Sequence, residues 1–197
     1  DPTFGSDPDG KDSLVGGAGN DTLVSGAGVT TMEGGLGDDV YVVNNSADVI
    51  RESTLSGNST LEGLEEVPLN GNDTVATSFN YTLGGGLENL VAMGGIGLSL
   101  AGNALANSIT GGIGNDTIVL GKDDTVDGYD GYDLYILSDT LTAQTVHLVK
   151  TQEPGKEFRD TLQSAVSFDL RAALDEDRVM NVDNLVYTST LGGNLRG

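Results

Sequence analysis

Residues 16–42 read GGAGNDTLV (16–24), SGAGVTTME (25–33) and GGLGDDVYV (34–42), three nine-residue units laid end to end without a gap. The eighth position of each is large and apolar: Leu23, Met32 and Tyr41. The preceding unit, DPDGKDSLV (7–15), puts Leu14 in the same place, so the period holds over four units. A fixed short period marks a solenoid, in which each unit buries its apolar residue against its neighbours.

A second array runs from 93 to 136 as MGGIGLSLA, GNALANSIT, GGIGNDTIV, the eight-residue LGKDDTVD and GYDGYDLYI. Its eighth-position residues are Leu100, Ile109, Ile118, Tyr135 and, across a one-residue deletion near Lys122, Val126. The arrays belong to a longer duplication at an offset of about 95 residues, since GGAGND (16–21) recurs as GGIGND (111–116) and DDVYVV (38–43) as YDLYIL (132–137). Between the arrays, DTVATSFNYTL (73–83) is answered by DTLQSAVSFDL (160–170). Carried forward, this register puts Leu195 and Gly197 where Leu100 and Gly102 stand. The sequence is therefore expected to be a piece of a longer tandem protein.

The two halves of a unit make different demands. Glycines in the first half let the backbone take positive φ and bring carbonyl oxygens toward a common point. An aspartate at the sixth position adds carboxylate oxygens, and the remaining residues form a short strand. Stacked turns then offer about six oxygens at hard-cation distances, a donor set that suits Ca²⁺ better than Mg²⁺ and lacks the nitrogen and sulfur that transition metals favour. Isolated Gly-Asn-Asp turns also occur in hairpins, but turn chemistry does not require an aspartate at a fixed phase.

These residues resemble the RTX, or haemolysin-type calcium-binding, repeat family, whose GGxGxDxUx motif is met at Gly16, Gly17, Gly19, Asp21 and Leu23. It is met again at Gly34, Gly35, Gly37, Asp39 and Tyr41, and at Gly111, Gly112, Gly114, Asp116 and Ile118. The resemblance implies an all-β chain built of parallel β-rolls, in which two units complete a coil and turns two units apart share an ion. On that pattern 16–21 stacks on 34–39 to make a calcium site with Asp21 and Asp39. Likewise 111–116 stacks on 128–133, with Asp116, Gly128, Asp130 and Asp133. Weaker sites are expected where Asp12 faces Thr30 and where Asp124 faces Asn107. Tyr129 stands where the motif has its second glycine and departs from the pattern.

The expected organisation is a first roll over 1–43, a β-rich connector over 44–92, a second roll over 93–137 and a second β-rich connector over 138–197. Alternating runs such as TVATSFNYTL and TVHLVK suit half-buried strands. Residues 53–72 read as an exposed loop, and 170–180 as one or two helical turns.

Composition narrows the function. With 30 Asp+Glu against 9 Lys+Arg the formal charge is -21, which disfavours nucleic acid and anionic membrane surfaces as partners and favours bound cations. Cysteine is absent, so disulfides and thiolate metal sites are excluded, and no apolar run is long enough for a membrane-spanning helix. No GxSxG, HExxH or P-loop string occurs, and the single histidine, His147, sits in an alternating apolar run, so the chain is expected not to be an enzyme. Several Ca²⁺ ions are the expected cofactors. The family resemblance adds an extracellular or cell-surface location reached by type I secretion. The expected role is a structural or interaction segment of a tandem surface protein of adhesin, S-layer or matrix type, with self-association, other surface proteins or polysaccharide as partner classes. The alternative is a noncatalytic module of a secreted hydrolase or toxin.

Overall fold

The computed structural model describes residues 11–52, 71–137, 147–148, 160–164 and 182–187. The regular structure there is entirely strand: β1 (Lys11–Ala18), β2 (Thr22–Val24), β3 (Val29–Leu36), β4 (Val40–Val43) and β5 (Val49–Ile50). Next come β6 (Thr74–Thr77), β7 (Tyr81–Thr82), β8 (Asn89–Ala92), β9 (Ser99–Ala101), β10 (Ser108–Ile113) and β11 (Thr117–Leu120). The last are β12 (Thr125–Asp130), β13 (Leu134–Leu137), β14 (His147–Leu148), β15 (Asp160–Ser164) and β16 (Val182–Tyr187). The run expected to be helical, 170–180, lies outside the described residues, as does 53–70. Among the described residues no helix is long and apolar enough to cross a membrane.

Every strand pairing is parallel. The even strands β2 to β14 make one seven-stranded sheet in sequence order. The odd strands make a three-stranded sheet, β1-β3-β5, and, joined by β16 beyond β15, a six-stranded sheet that begins at β7. Successive strands through β15 thus alternate between the seven-stranded sheet and an odd-numbered one, which is the path of a parallel β-solenoid. The seven-stranded sheet passes through β6 and β8, so it runs from the first array into the second by backbone pairing.

One face of each strand is buried and its register carries the core. In the seven-stranded sheet Leu23, Tyr41, Val75, Leu90, Ile109, Val126 and Leu148 pair in succession, each with the next. In the six-stranded sheet the succession is Tyr81, Leu100, Ile118, Tyr135 and Leu162. All of these are buried except Tyr81, which is partly so. Each coil therefore adds one apolar side chain to each file, and burying one contributes roughly 1.5–3 kcal/mol.

Where the nonamer period is intact, paired residues are 18 apart, as in Leu23↔Tyr41 and Leu100↔Ile118. The deletion near Lys122 leaves Ile109↔Val126 and Ile118↔Tyr135 at 17 apart, because the turn before β12 absorbs it and the core phase survives. Leu90→Ala, in the sheet between the two arrays, is expected to cost about 2–5 kcal/mol in urea unfolding with calcium present. Outward-facing Val24→Ala should change it by no more than about 0.5 kcal/mol.

Candidate metal centre

In a parallel sheet all the strand starts line one edge, and the residue just before each start falls in a column. Along the seven-stranded sheet that column is Asp21, Asp39, Asp73, Glu88, Asn107 and Asp124, preceding β2, β4, β6, β8, β10 and β12. A ladder of backbone-to-carboxylate hydrogen bonds joins its first four members. The Asp21 N–H donates to Asp39 Oδ1 at 2.8 Å, the Asp39 N–H to Asp73 Oδ1 at 2.8 Å, and the Asp73 N–H to Glu88 Oε2 at 2.9 Å. One turn thus fixes the carboxylate of the next through a charge-assisted bond.

The ladder consumes one carboxylate oxygen of Asp39 and one of Asp73. The Oδ2 atoms of Asp21, Asp39 and Asp73 are buried with no hydrogen-bond partner, an arrangement that costs free energy unless a cation completes it. The turns bring further oxygens to the same place. A Cβ at Gly16 would lie 2.6 Å from Asp21 Oδ2 and 2.7 Å from the Gly34 carbonyl oxygen, so carboxylate and carbonyl converge where a side chain would stand. Gly35, at φ +113°, packs so closely on the Gly17 carbonyl that a Cβ would collide with it. This all-oxygen donor set fits Ca²⁺.

The stacking expected from the sequence is present in the register. Gly17 pairs with Gly35 and Asp12 with Thr30 in one sheet, and Gly112 pairs with Tyr129 and Ile113 with Asp130 in another. Yet the two arrays use different edges. Turns 19–21 and 37–39 lead into the seven-stranded sheet, whereas 114–116 and 131–133 lead out of it.

On that second edge the Leu98 N–H donates to Asp116 Oδ1 at 2.6 Å, the Asp116 N–H to Asp133 Oδ1 at 2.9 Å, and the Asp133 N–H to Asp160 Oδ1 at 3.0 Å. Here the second oxygen of Asp116 accepts the Gly112 N–H at 2.8 Å. On the first edge, at the far end of the column, Asp124 also spends both oxygens on backbone, accepting from the Asn107 N–H at 2.9 Å and the Gly121 N–H at 2.6 Å. Gly111 still abuts both Asp116 Oδ2 and the Gly128 carbonyl, so the cradle of Gly16 recurs. Tyr129 takes φ +67°, a left-handed conformation at the position where the motif has glycine. Gly19, Gly37 and Gly114 lie in the turns themselves, Gly37 against the Gly19 carbonyl and Gly114 against Ile96.

Two buried tyrosines have a polar role besides packing. Tyr41 Oη accepts the Gly34 N–H at 2.7 Å and Tyr135 Oη accepts the Gly128 N–H at 3.0 Å, tying the start of each turn to the strand that follows it.

Crowded acids in a dry column resist ionisation. Burial, then the charges of Asp21 and Asp38, pushes Asp39 above the usual carboxylate range. Burial, with Asp39, Glu88 and Asp38 nearby, raises Asp73 to about 6. Burial also raises Glu88 and Asp124. Asp73 and Glu88 are column members that the nine-residue motif does not cover. GNDTV at 71–75 carried a usable signal, since it repeats GNDTL (19–23) and GNDTI (114–118), but Pro68 and Leu69 replace the leading glycines. Glu88 sits in no motif.

Residues 9–41 match the RTX calcium-binding nonapeptide repeat family in four copies, so the chain carries calcium-binding repeats of a structural kind. No curated protein and no solved structure matches the chain.

Two outcomes follow from the column. Because folding raises the carboxyl pKa values of Asp39, Asp73 and Asp124, the stability they contribute is complete below the ordinary aspartate value of 3.8 and is lost as pH rises through the folded value, about 6 for Asp73. With calcium chelated, acidification from about pH 7 to about pH 4 should therefore increase strand content in far-UV circular dichroism, and a decrease would contradict the assignment. Separately, Gly35→Ala should destabilise the calcium-loaded protein by about 1–3 kcal/mol, while Gly85→Ala, where a Cβ meets nothing within 4 Å, should stay within about 0.5 kcal/mol in chemical denaturation.

Proposed function

We propose that this chain, a carrier of RTX calcium-binding repeats, is a noncatalytic structural and interaction segment that folds when calcium binds outside the cell. The observation that carries the reading is the column of Asp21, Asp39 and Asp73, whose buried Oδ2 atoms lack a protein partner on glycine turns that bring carbonyls beside them. The calcium sites are the stack of 16–21 on 34–39 and the stack of 111–116 on 128–133. The Ca²⁺ they take supplies charge neutralisation and links successive turns.

The energetics support a switch at external calcium. A formal charge of -21 opposes compaction, and the core grows by only one side chain per file per coil. Calcium at ten times its dissociation constant adds about 1.4 kcal/mol per site, so several sites decide whether the coil forms. Extracellular modules typically bind at ~10⁻⁴ to 10⁻³ M, above cytosolic calcium, which suits a chain exported unfolded by type I secretion. Tandem repetition and parallel stacking favour a place in a surface or matrix protein, where strand edges offer self-association and the acidic faces meet other surface proteins or polysaccharide.

A calcium titration followed by far-UV circular dichroism, reversed with EGTA, tests the reading. Strand signal should rise with calcium and disappear with chelator. Asp21→Ala and Asp116→Ala should each raise the calcium midpoint more than Thr30→Ala, and equal midpoints would overturn the site assignment.

A further inference from the structure

The acidic column continues beyond the last matched repeat, and there it meets a carboxylate from outside the nine-residue pattern. Asp39, Glu52 and Asp73 each place a carboxylate oxygen within 4.8 Å of the other two. Asp39 and Asp73 are fully buried, and the Oδ2 atom of each is without a hydrogen-bond partner. We propose that these three side chains form a further calcium site, at the junction where the nonamer array gives way to the rest of the solenoid.

The backbone fixes all three donors. Asp39 and Asp73 are consecutive rungs of the ladder, since the Asp39 N–H donates to Asp73 Oδ1 at 2.8 Å. Gly71 packs against the Gly37 carbonyl, so the turn bearing Asp73 stacks on the turn bearing Asp39. Glu52 arrives by another route. It follows β5, and the Arg51 N–H donates to the Met32 carbonyl at 2.8 Å, which continues the β3–β5 pairing up to its doorstep. The ligand set is three carboxylates on a span that Ca–O distances of about 2.3–2.6 Å accommodate, and calcium tolerates the irregular geometry that the smaller, octahedral Mg²⁺ does not.

The position gives the site a purpose distinct from the repeats. Across this junction the coil lengthens, with Tyr41 pairing to Val75, 34 residues on, in place of 18. Residues 53–72 lie between two of the three ligands, so an ion held by Glu52 and Asp73 joins the ends of that segment and offsets the entropy of closing it. Calcium would there set the register between the motif array and the strands that follow.

The inference rests on the calcium-dependent reading above, and the experiment separates the two. Calcium stoichiometry is measured on the whole chain by native mass spectrometry at saturating calcium, for wild type, Glu52→Gln, Asp73→Asn and the exposed control Glu33→Gln. The expected result is one fewer bound ion in Glu52→Gln and in Asp73→Asn, with Glu33→Gln equal to wild type and magnesium failing to restore the missing ion. Equal stoichiometry in Glu52→Gln and Glu33→Gln overturns the junction site and leaves the repeat sites standing. No bound calcium in wild type overturns both. Should the two variants fail to fold, anomalous diffraction from wild-type crystals grown in calcium decides: a peak among the three carboxylates supports the site and its absence overturns it.

Discussion

The solenoid depends on one repeated contact, in which the backbone N–H of a turn donates to a carboxylate on the next turn. That contact does two things at once. It positions each aspartate relative to its neighbour, and it leaves a second carboxylate oxygen in a place that water reaches poorly. At Asp39 and Asp73 that oxygen has no protein partner, and Asp21 Oδ2 is likewise buried without one, so the edge that orders the stack also leaves its charge unbalanced. A hard cation resolves the conflict, because it binds the spare oxygen without disturbing the hydrogen bond made by the other.

Two aspartates of the second array handle the same contact differently. Asp116 and Asp124 turn both oxygens to backbone N–H groups, so their share of negative charge is already partly met by dipoles. The edges also differ in place, one at the strand starts of the seven-stranded sheet and the other beyond its strand ends. Through both edges the core keeps its phase. Paired residues are separated by 15 positions at Val75↔Leu90, 17 at Ile109↔Val126 and 34 at Tyr41↔Val75, yet each pairing joins two buried apolar residues. Turn length is free to vary because only the strand residue and the residue before the strand have to stack.

Much of this was legible in the sequence because the period constrains it. The eighth-position residues Leu14, Leu23, Met32, Tyr41, Leu100, Ile109, Ile118, Val126 and Tyr135 all lie in the core, and the turn glycines stack in the anticipated pairs. Less was legible where the period lapses. Asp73 keeps the GND string but not the two glycines that lead it, Glu88 has no motif, and Glu52 reaches the column through the pairing of β3 with β5, a tertiary fact that no local pattern encodes. The change of edge between arrays was hidden for a similar reason, since it depends on how many strands the intervening segment contributes. Tyr41 and Tyr135 read as apolar core, and their hydroxyl contacts to Gly34 and Gly128 appear only when turn and strand are seen together.

The most direct test of the account is amide hydrogen exchange at Asp21 and Asp39, the two N–H groups that donate to the next carboxylate in the open column. The account predicts strong protection in millimolar calcium and exchange near the unfolded rate in EGTA, with both amides changing together. Equal protection of these amides in calcium and in chelator would contradict it, because the ladder would then stand without the ion.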